Sequence, residues 1–236
     1  MNKRIGDYEQ FARAYAEKVE VNAYNALYER PALISKLPSL EGMRVLDAGC
    51  GVGGLSELMI SRGAHVVAVD RSPEMLEIAK ERLGSKGTLM QMDLSAPLTA
   101  LKTENFNLVV SSLTLHYIED WSVILQEINR VLLPNGELIF STHHPFLDHS
   151  HLIDMKYFER QIVEEPWEGF TEKPVIMRYY RRSLGEMYRE IISAGFSILD
   201  MVEPFPLPSC KERFPKEYEI LSKRPVFIIF HLKKTN

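Results

Sequence analysis

The sequence predicts an α/β protein on an open, mostly parallel seven-stranded sheet, with helices on both faces and the last strand antiparallel. Three observations predict it. Between residues 42 and 142, short apolar runs alternate with helical patterns of roughly 10–15 residues, the signature of strand–helix–strand crossovers. A glycine-rich turn, Gly49-Cys50-Gly51-Val52-Gly53-Gly54, joins the first run to the first helical pattern. The chain of 236 residues, 45% hydrophobic and 25% charged, is long enough to bury one such core unaided.

The elements follow in order. Residues 8–37 read as helix, with Pro31 starting a new turn and Pro38 closing it. Arg44–Asp47 is the first strand, and Leu55, Leu58 and Met59 mark a helix ending at Gly63. His65–Asp70 is the second strand. Ser72 caps the next helix, Pro73 suits its first position, Glu74 favours the positive end of its dipole, and Gly84 stops it. Thr88–Met92 and Phe106–Ser111 are the third and fourth strands. Asp120 caps a helix with Trp121, Ile124, Leu125, Ile128, Val131 and Leu132 on its apolar face, and Pro134-Asn135-Gly136 turns the chain into a fifth strand, Glu137–Ser141.

Residues 143–180 are irregular and aromatic. Ser183 and Glu186 then form a capping box for a helix with Leu184, Met187, Tyr188, Ile191 and Ile192 on one stripe, ended by Gly195. Phe196–Val202 is the sixth strand. A proline-rich stretch, 204–225, shows helical character only at Lys216–Lys223, and Val226–Leu232 closes the sheet, antiparallel at one end of it.

Bulk properties exclude several classes. The net charge of −4 and the scattered basic residues build no field for nucleic acid or an anionic membrane. The longest apolar run, Val226–Phe230, is far below the roughly 18 residues of a membrane span. Met1–Asp7 meets charge and glycine before any apolar run and reads as no signal peptide, and two cysteines, Cys50 and Cys210, make no secreted disulfide framework. A reduced cytoplasmic protein is expected.

The chemistry gathers at strand ends. A glycine turn there lets a ligand approach the backbone closely, beyond the carboxyl ends of the strands of an open α/β sheet. Asp47 ends the first strand, where a carboxylate suits a ligand bringing its own positive charge and repels a pyrophosphate. Asp70 ends the second, 19 residues past Gly51, and suits ribose hydroxyls. Asp93 follows the third, with Leu94 beside it as an apolar wall for a purine. One such aspartate is ordinarily a turn residue; three on successive strands are a binding constellation.

Residues 42–142 resemble the core of the class I S-adenosylmethionine-dependent methyltransferases, which carries the expectation of a Rossmann-like fold. The resemblance rests on Val45–Gly53, Val67–Ser72, Met92-Asp93, Phe106–Ser111 and Leu132–Glu137. It implies that Gly49 and Gly51 lie against the methionine part of S-adenosyl-L-methionine, with Asp47 near its amino group. Asp70 would hold the ribose, Arg71 and Met75 flank the adenosine, and Asp93 and Leu94 recognise adenine. Ser111 would border both methionine and substrate, and the segment with Tyr8, Tyr15, Tyr24 and Tyr28 resembles a lid over the cofactor. The expected organisation is one domain over 1–236: a helical lid at 1–40, a cofactor-binding core at 41–142, and substrate-capping insertions at 143–180 and 204–225.

With that cofactor the expected reaction is direct methyl transfer to a small molecule. The protein mainly aligns the accepting atom and excludes water, and a base is needed only where the acceptor must lose a proton. His143, at the end of the fifth strand, and His116, after the fourth, are the candidate catalytic residues. His143, His144, His149 and His151 are dense but lack cysteines or regularly spaced carboxylates, so no metal site is expected. Two other readings share the glycine turn: a non-catalytic cofactor-binding regulator, and an NAD-dependent oxidoreductase, against which Asp47 and the missing second nucleotide-binding half argue. A nucleic-acid methyltransferase is disfavoured by the net charge and by Ser111–Thr114, which stands where an Asn/Asp-Pro-Pro-aromatic motif would.

Overall fold

The computed structural model describes residues 5–146 and 156–235. Seven strands form the main sheet: β1 Arg44–Ala48, β2 His65–Asp70, β3 Thr88–Gln91, β4 Phe106–Ser111, β5 Leu132–His143, β8 Phe196–Val202 and β9 Phe227–Lys234. Their order is β3-β2-β1-β4-β5-β9-β8. The first five are mutually parallel, so their carboxyl ends share one edge, while β9 runs antiparallel to both β5 and β8. The closing strand is thus antiparallel as expected, but it sits between β5 and β8, and β8 takes the edge. Ile228, Ile229 and Phe230 are all buried, which requires cover on both faces and a neighbour on each side.

Eight α-helices accompany the strands among the described residues: α1 Ala12–Val19, α2 Arg30–Ile34, α3 Gly54–Ser61, α4 Pro73–Leu83, α5 Trp121–Val131, α6 Leu184–Ser193, α7 Pro208–Arg213 and α8 Pro215–Leu221. Side chains of α5 and α6, including Trp121, Ile128, Met187 and Ile191, pack with Val109, Leu138, Phe140 and Phe230. On the opposite face Leu33, Leu55 and Met59 meet Val45, Val110, Ile139 and Ile229. Each such fully buried aliphatic or aromatic side chain contributes about 1.5–3 kcal/mol. Ser72, Asp120 and Ser183 each cap a helix by accepting from a backbone N–H, of Met75, Ser122 and Glu186 respectively. The Glu186 carboxylate takes the Arg160 guanidinium at 2.6 Å.

Four local expectations change. The N-terminal helix is broken: a 3-10 turn at Glu9–Phe11 precedes α1, and a π-helical turn at Asn25–Glu29 leads into α2. Asn22 Oδ1 accepts from the Asn25 backbone N–H at 2.6 Å, which caps a fresh helical start. Pro134-Asn135-Gly136 does not separate helix from strand, because Leu132 already pairs with Phe106 and Glu137 resumes opposite Leu108, leaving the turn as a bulge inside β5. The insertion at 143–180 contains an antiparallel pair, β6 Gln161–Trp167 and β7 Val175–Arg181. The stretch 204–225 holds α7 as well as α8.

Candidate active site

The turn after β1 folds back on β2: the Gly49 and Cys50 N–H groups both donate to the Val69 carbonyl, at 2.8 and 2.9 Å. Gly49 has φ +85°, and a Cβ there would lie 2.3 Å from the Thr114 side chain, so only glycine fits. Gly51 has φ +52° and faces open space. Asp70 ties this turn down. One carboxylate oxygen accepts from the Gly51 N–H and the other from the Ser72 N–H, both at 2.9 Å. Burial raises the Asp70 pKa against the pull of these two N–H groups and of Arg71.

A cavity of about 350 Å³ opens at the shared carboxyl edge of the strands. Gly49, Gly51, Asp70 and Arg71 line it, and so do Met75, Asp93 and Leu94. Burial lifts the Asp93 carboxyl, but the Ser95 N–H and hydroxyl, at 2.9 and 2.7 Å, and nearby Arg71 outweigh it and hold the pKa below the ordinary value. The N-terminal segment forms the roof. Arg71 donates to the Ile5 and Gly6 carbonyls, and the Tyr8 and Tyr117 hydroxyls meet at 2.6 Å. Tyr8 and Tyr15 line the cavity, whereas Tyr24 and Tyr28 pack with Cys210, Leu221 and Phe227.

Asp47 and Ser111 are not among the lining residues. Asp47 is buried behind the turn, accepts from Ser56 Oγ at 2.5 Å, and has its pKa pushed up to about 6 by burial, with Ser56 and Arg30 opposing. Ser111 Oγ donates to the Ala48 carbonyl at 2.7 Å, fastening β4 to β1. His116 and His143 come together, ring centres 4.1 Å apart, and neither lines the cavity. Burial lowers the His116 pKa well below normal, with His143 and Arg182 adding to the effect, and takes His143 to about 3, so both imidazoles are neutral at pH 7. His144 is engaged elsewhere, 2.9 Å from Glu203. His149 and His151 lie outside the described residues.

A family model described as a methyltransferase domain matches residues 46–140, the span from β1 through most of β5. A malonyl-[acyl-carrier protein] O-methyltransferase of Enterobacter lignolyticus is 30% identical over 184 residues, covering 77% of this chain and 67% of that one. The chain belongs to the class I S-adenosylmethionine-dependent methyltransferases. Among solved structures, an S-adenosylmethionine-dependent methyltransferase from Mesorhizobium loti superposes with a TM-score of 0.72 at 26% identity, over 92% of this chain and 100% of that one. A candidate enzyme of the same kind from Listeria monocytogenes gives 0.76 at 25% identity, over 88% and 97%.

The cavity of this methyltransferase fits that cofactor on its own terms. Its volume is in the ordinary range for small-ligand sites, Gly51 presents backbone to open space, and carboxylates on successive strand ends suit ribose hydroxyls and a cationic sulfonium. The methyltransferase also has residues at the site that the motifs did not point to. Thr114 and Tyr117 follow β4, and their position past a strand end was the only available signal. Glu29, the last residue of the π-helical turn, and Arg30, the first of α2, are not among the lining residues but bear on them, Glu29 through Ser112 and Arg30 through its charge near Asp47, and in sequence a Glu-Arg pair reads as a solvated helix face.

Proposed function

We propose that this methyltransferase moves the methyl group directly onto an oxygen of a small molecule. The observation that carries the reading is the single cavity at the strand edge, in which Asp70 and Asp93 face the same space as the glycine turn. S-adenosylmethionine supplies an activated methyl on a good leaving group, so the chain's work is binding, alignment and exclusion of water. In this reading Asp70 receives the ribose hydroxyls while keeping Gly51 in place. Arg71 and Met75 flank the adenosine, and Asp93 and Leu94 take the adenine. Gly49 and Gly51 leave room for the methionine portion, Asp47 sets a negative potential behind it, and Ser111 holds β4 against β1 beneath it.

Residues 1–40 act as the lid, 41–142 as the cofactor core, and 143–180 with 204–225 as the cap of one domain. His116 and His143 belong to the acceptor side, as neutral hydrogen-bonding rings. Oxygen as the accepting atom is favoured by the relative named an O-methyltransferase. Among the described residues no helix is long and apolar enough to cross a membrane, and the free thiols of Cys50 and Cys210 suit a reducing cytoplasm.

The test is incubation with tritiated cofactor and a crude metabolite extract, followed by separation by size and mass spectrometry. Label in small molecules that have gained one methyl is the expected result. Label confined to the protein or nucleic-acid fraction would overturn the small-molecule assignment.

A further inference from the structure

Leu113 carries a strained backbone in the wall of the cavity. Among the described residues Glu104, Leu113 and Asn135 are the non-glycines with positive φ, and of these only Leu113, at +48°, lines the cavity. A bulky residue rarely enters the left-handed region and stays there only where its surroundings hold it. The Leu113 N–H donates to Ser141 Oγ at 3.0 Å, and Ser141 Oγ donates in turn to Glu29 Oε1 at 2.5 Å. The same carboxylate oxygen accepts from Ser112 Oγ, on the residue before Leu113, at 3.0 Å. Thr114, on the residue after it, donates to the Ser112 and Gly49 carbonyls at 3.0 and 3.3 Å. Ser112, Leu113, Thr114 and Gly49 all line the cavity, so one carboxylate lies behind a continuous stretch of its wall. Glu29 reaches this place from outside the sheet. It is fully buried at the end of the π-helical turn, in which the Arg30 N–H reaches back five residues to the Asn25 carbonyl. Such turns are rare and recur at functional sites.

We infer that Glu29 is a positioning residue for cofactor binding: through Ser112 and Ser141 it holds Leu113 in the left-handed conformation and so keeps the 112–114 wall against the glycine turn. The inference rests on the cofactor occupying this cavity. Without the carboxylate, Ser141 Oγ is free to turn away from the Leu113 N–H, and Leu113 relaxes to negative φ. That rotation carries Ser112 and Thr114 with it and draws Thr114 away from the Gly49 carbonyl. The fit there is close, since a Cβ on Gly49 would lie 2.3 Å from the Thr114 side chain. The work is done by the accepting oxygen. Oε1 alone takes both hydroxyls, while Oε2 has no hydrogen-bond partner, so an amide nitrogen in its place displaces nothing.

Calorimetric titration of S-adenosylhomocysteine into wild type, Glu29→Ala, Leu113→Gly and the double variant tests this. Glu29→Ala is expected to weaken binding about tenfold, as the strained wall relaxes. Glycine takes positive φ without strain, so in the Leu113→Gly background the same change should weaken binding less than about threefold. A residue that merely supports the fold would give equal losses in the two backgrounds. Glu29→Gln keeps an accepting oxygen for both hydroxyls and should bind within about twofold of wild type. Should Glu29→Ala lose its cooperative thermal transition, Ser141→Ala takes its place in the cycle, since it removes the acceptor of the Leu113 N–H directly. Equal losses in both backgrounds, no loss in the single variant, or a loss in Glu29→Gln as large as in Glu29→Ala overturns the inference. Failure of wild type to bind S-adenosylhomocysteine would instead sink the cofactor reading itself.

Discussion

Asp47 shows what burial costs a carboxyl at the end of β1. Its carboxyl has a folded pKa of about 6 because burial disfavours the ion. The folded value lies above the unfolded one, so the folded state holds the proton more tightly between about pH 4 and pH 6. The stability this group contributes is present in full below the unfolded pKa and is lost as pH rises through the folded one. Asp47→Asn is therefore expected to raise unfolding free energy at pH 7 by about 2–3 kcal/mol, with the gain vanishing near pH 4. Urea denaturation of both proteins across that range checks it, and a gain independent of pH would refute the electrostatic origin. Burial raises the Asp70 pKa as well, but two backbone N–H groups depend on its carboxylate. Asp70→Ala should weaken S-adenosylhomocysteine binding by about 1–3 kcal/mol, through the loss of a charged acceptor and of the turn it holds. An unchanged dissociation constant by calorimetry would remove Asp70 from the site.

Among the elements, the junction of β7 and α6 shows how the aromatic insertion is fastened to the cofactor core. Met177, Tyr179 and Arg181 alternate inward along β7. The next residue, Arg182, is 1% exposed, stacks 4.1 Å over Trp121, donates to the Ile118 and Glu119 carbonyls at 2.9 and 2.8 Å, and lies 3.4 Å from Glu190. Ile118 and Glu119 line the cavity, so this side chain ties the hairpin to its wall. Arg182→Ala leaves Glu190 with Arg160 alone, 2.8 Å away, leaves the Ile118 and Glu119 carbonyls without their donor, and opens a void beside Trp121. A loss of about 2–3 kcal/mol is expected, read by chemical denaturation. The hairpin was hard to see in sequence because Pro166 interrupts β6 and the apolar residues run together, as Ile162-Val163 and Val175-Ile176-Met177, without a period-two alternation. The helix caps were easy for the converse reason: Ser72, Asp120 and Ser183 act within two or three residues of themselves.

At the scale of the whole molecule, ligand binding and stability are one equilibrium. The cavity is walled by the N-terminal segment, four strand ends and the hairpin, so occupancy holds them together. S-adenosylhomocysteine at about 100 times its dissociation constant should add about 2.7 kcal/mol to unfolding, seen as a raised melting temperature, while NADH at the same concentration adds nothing. A shift with NADH and none with S-adenosylhomocysteine would contradict the family's cofactor.

The sequence by itself determined the strand-helix alternation, the glycine turn, and the acids at successive strand ends. Those signals are periodicities and cappings that act over a few residues. Only the tertiary structure decided that β9 inserts between β5 and β8, that Asp47 stands behind the turn, that His116 meets His143, and that Tyr8 rather than Tyr28 roofs the cavity. Such outcomes depend on contacts between residues far apart in the chain, as between the hydroxyls of Tyr8 and Tyr117, 109 positions apart. Burial, and with it the charge state and reach of each side chain, is a property of those contacts and not of local composition.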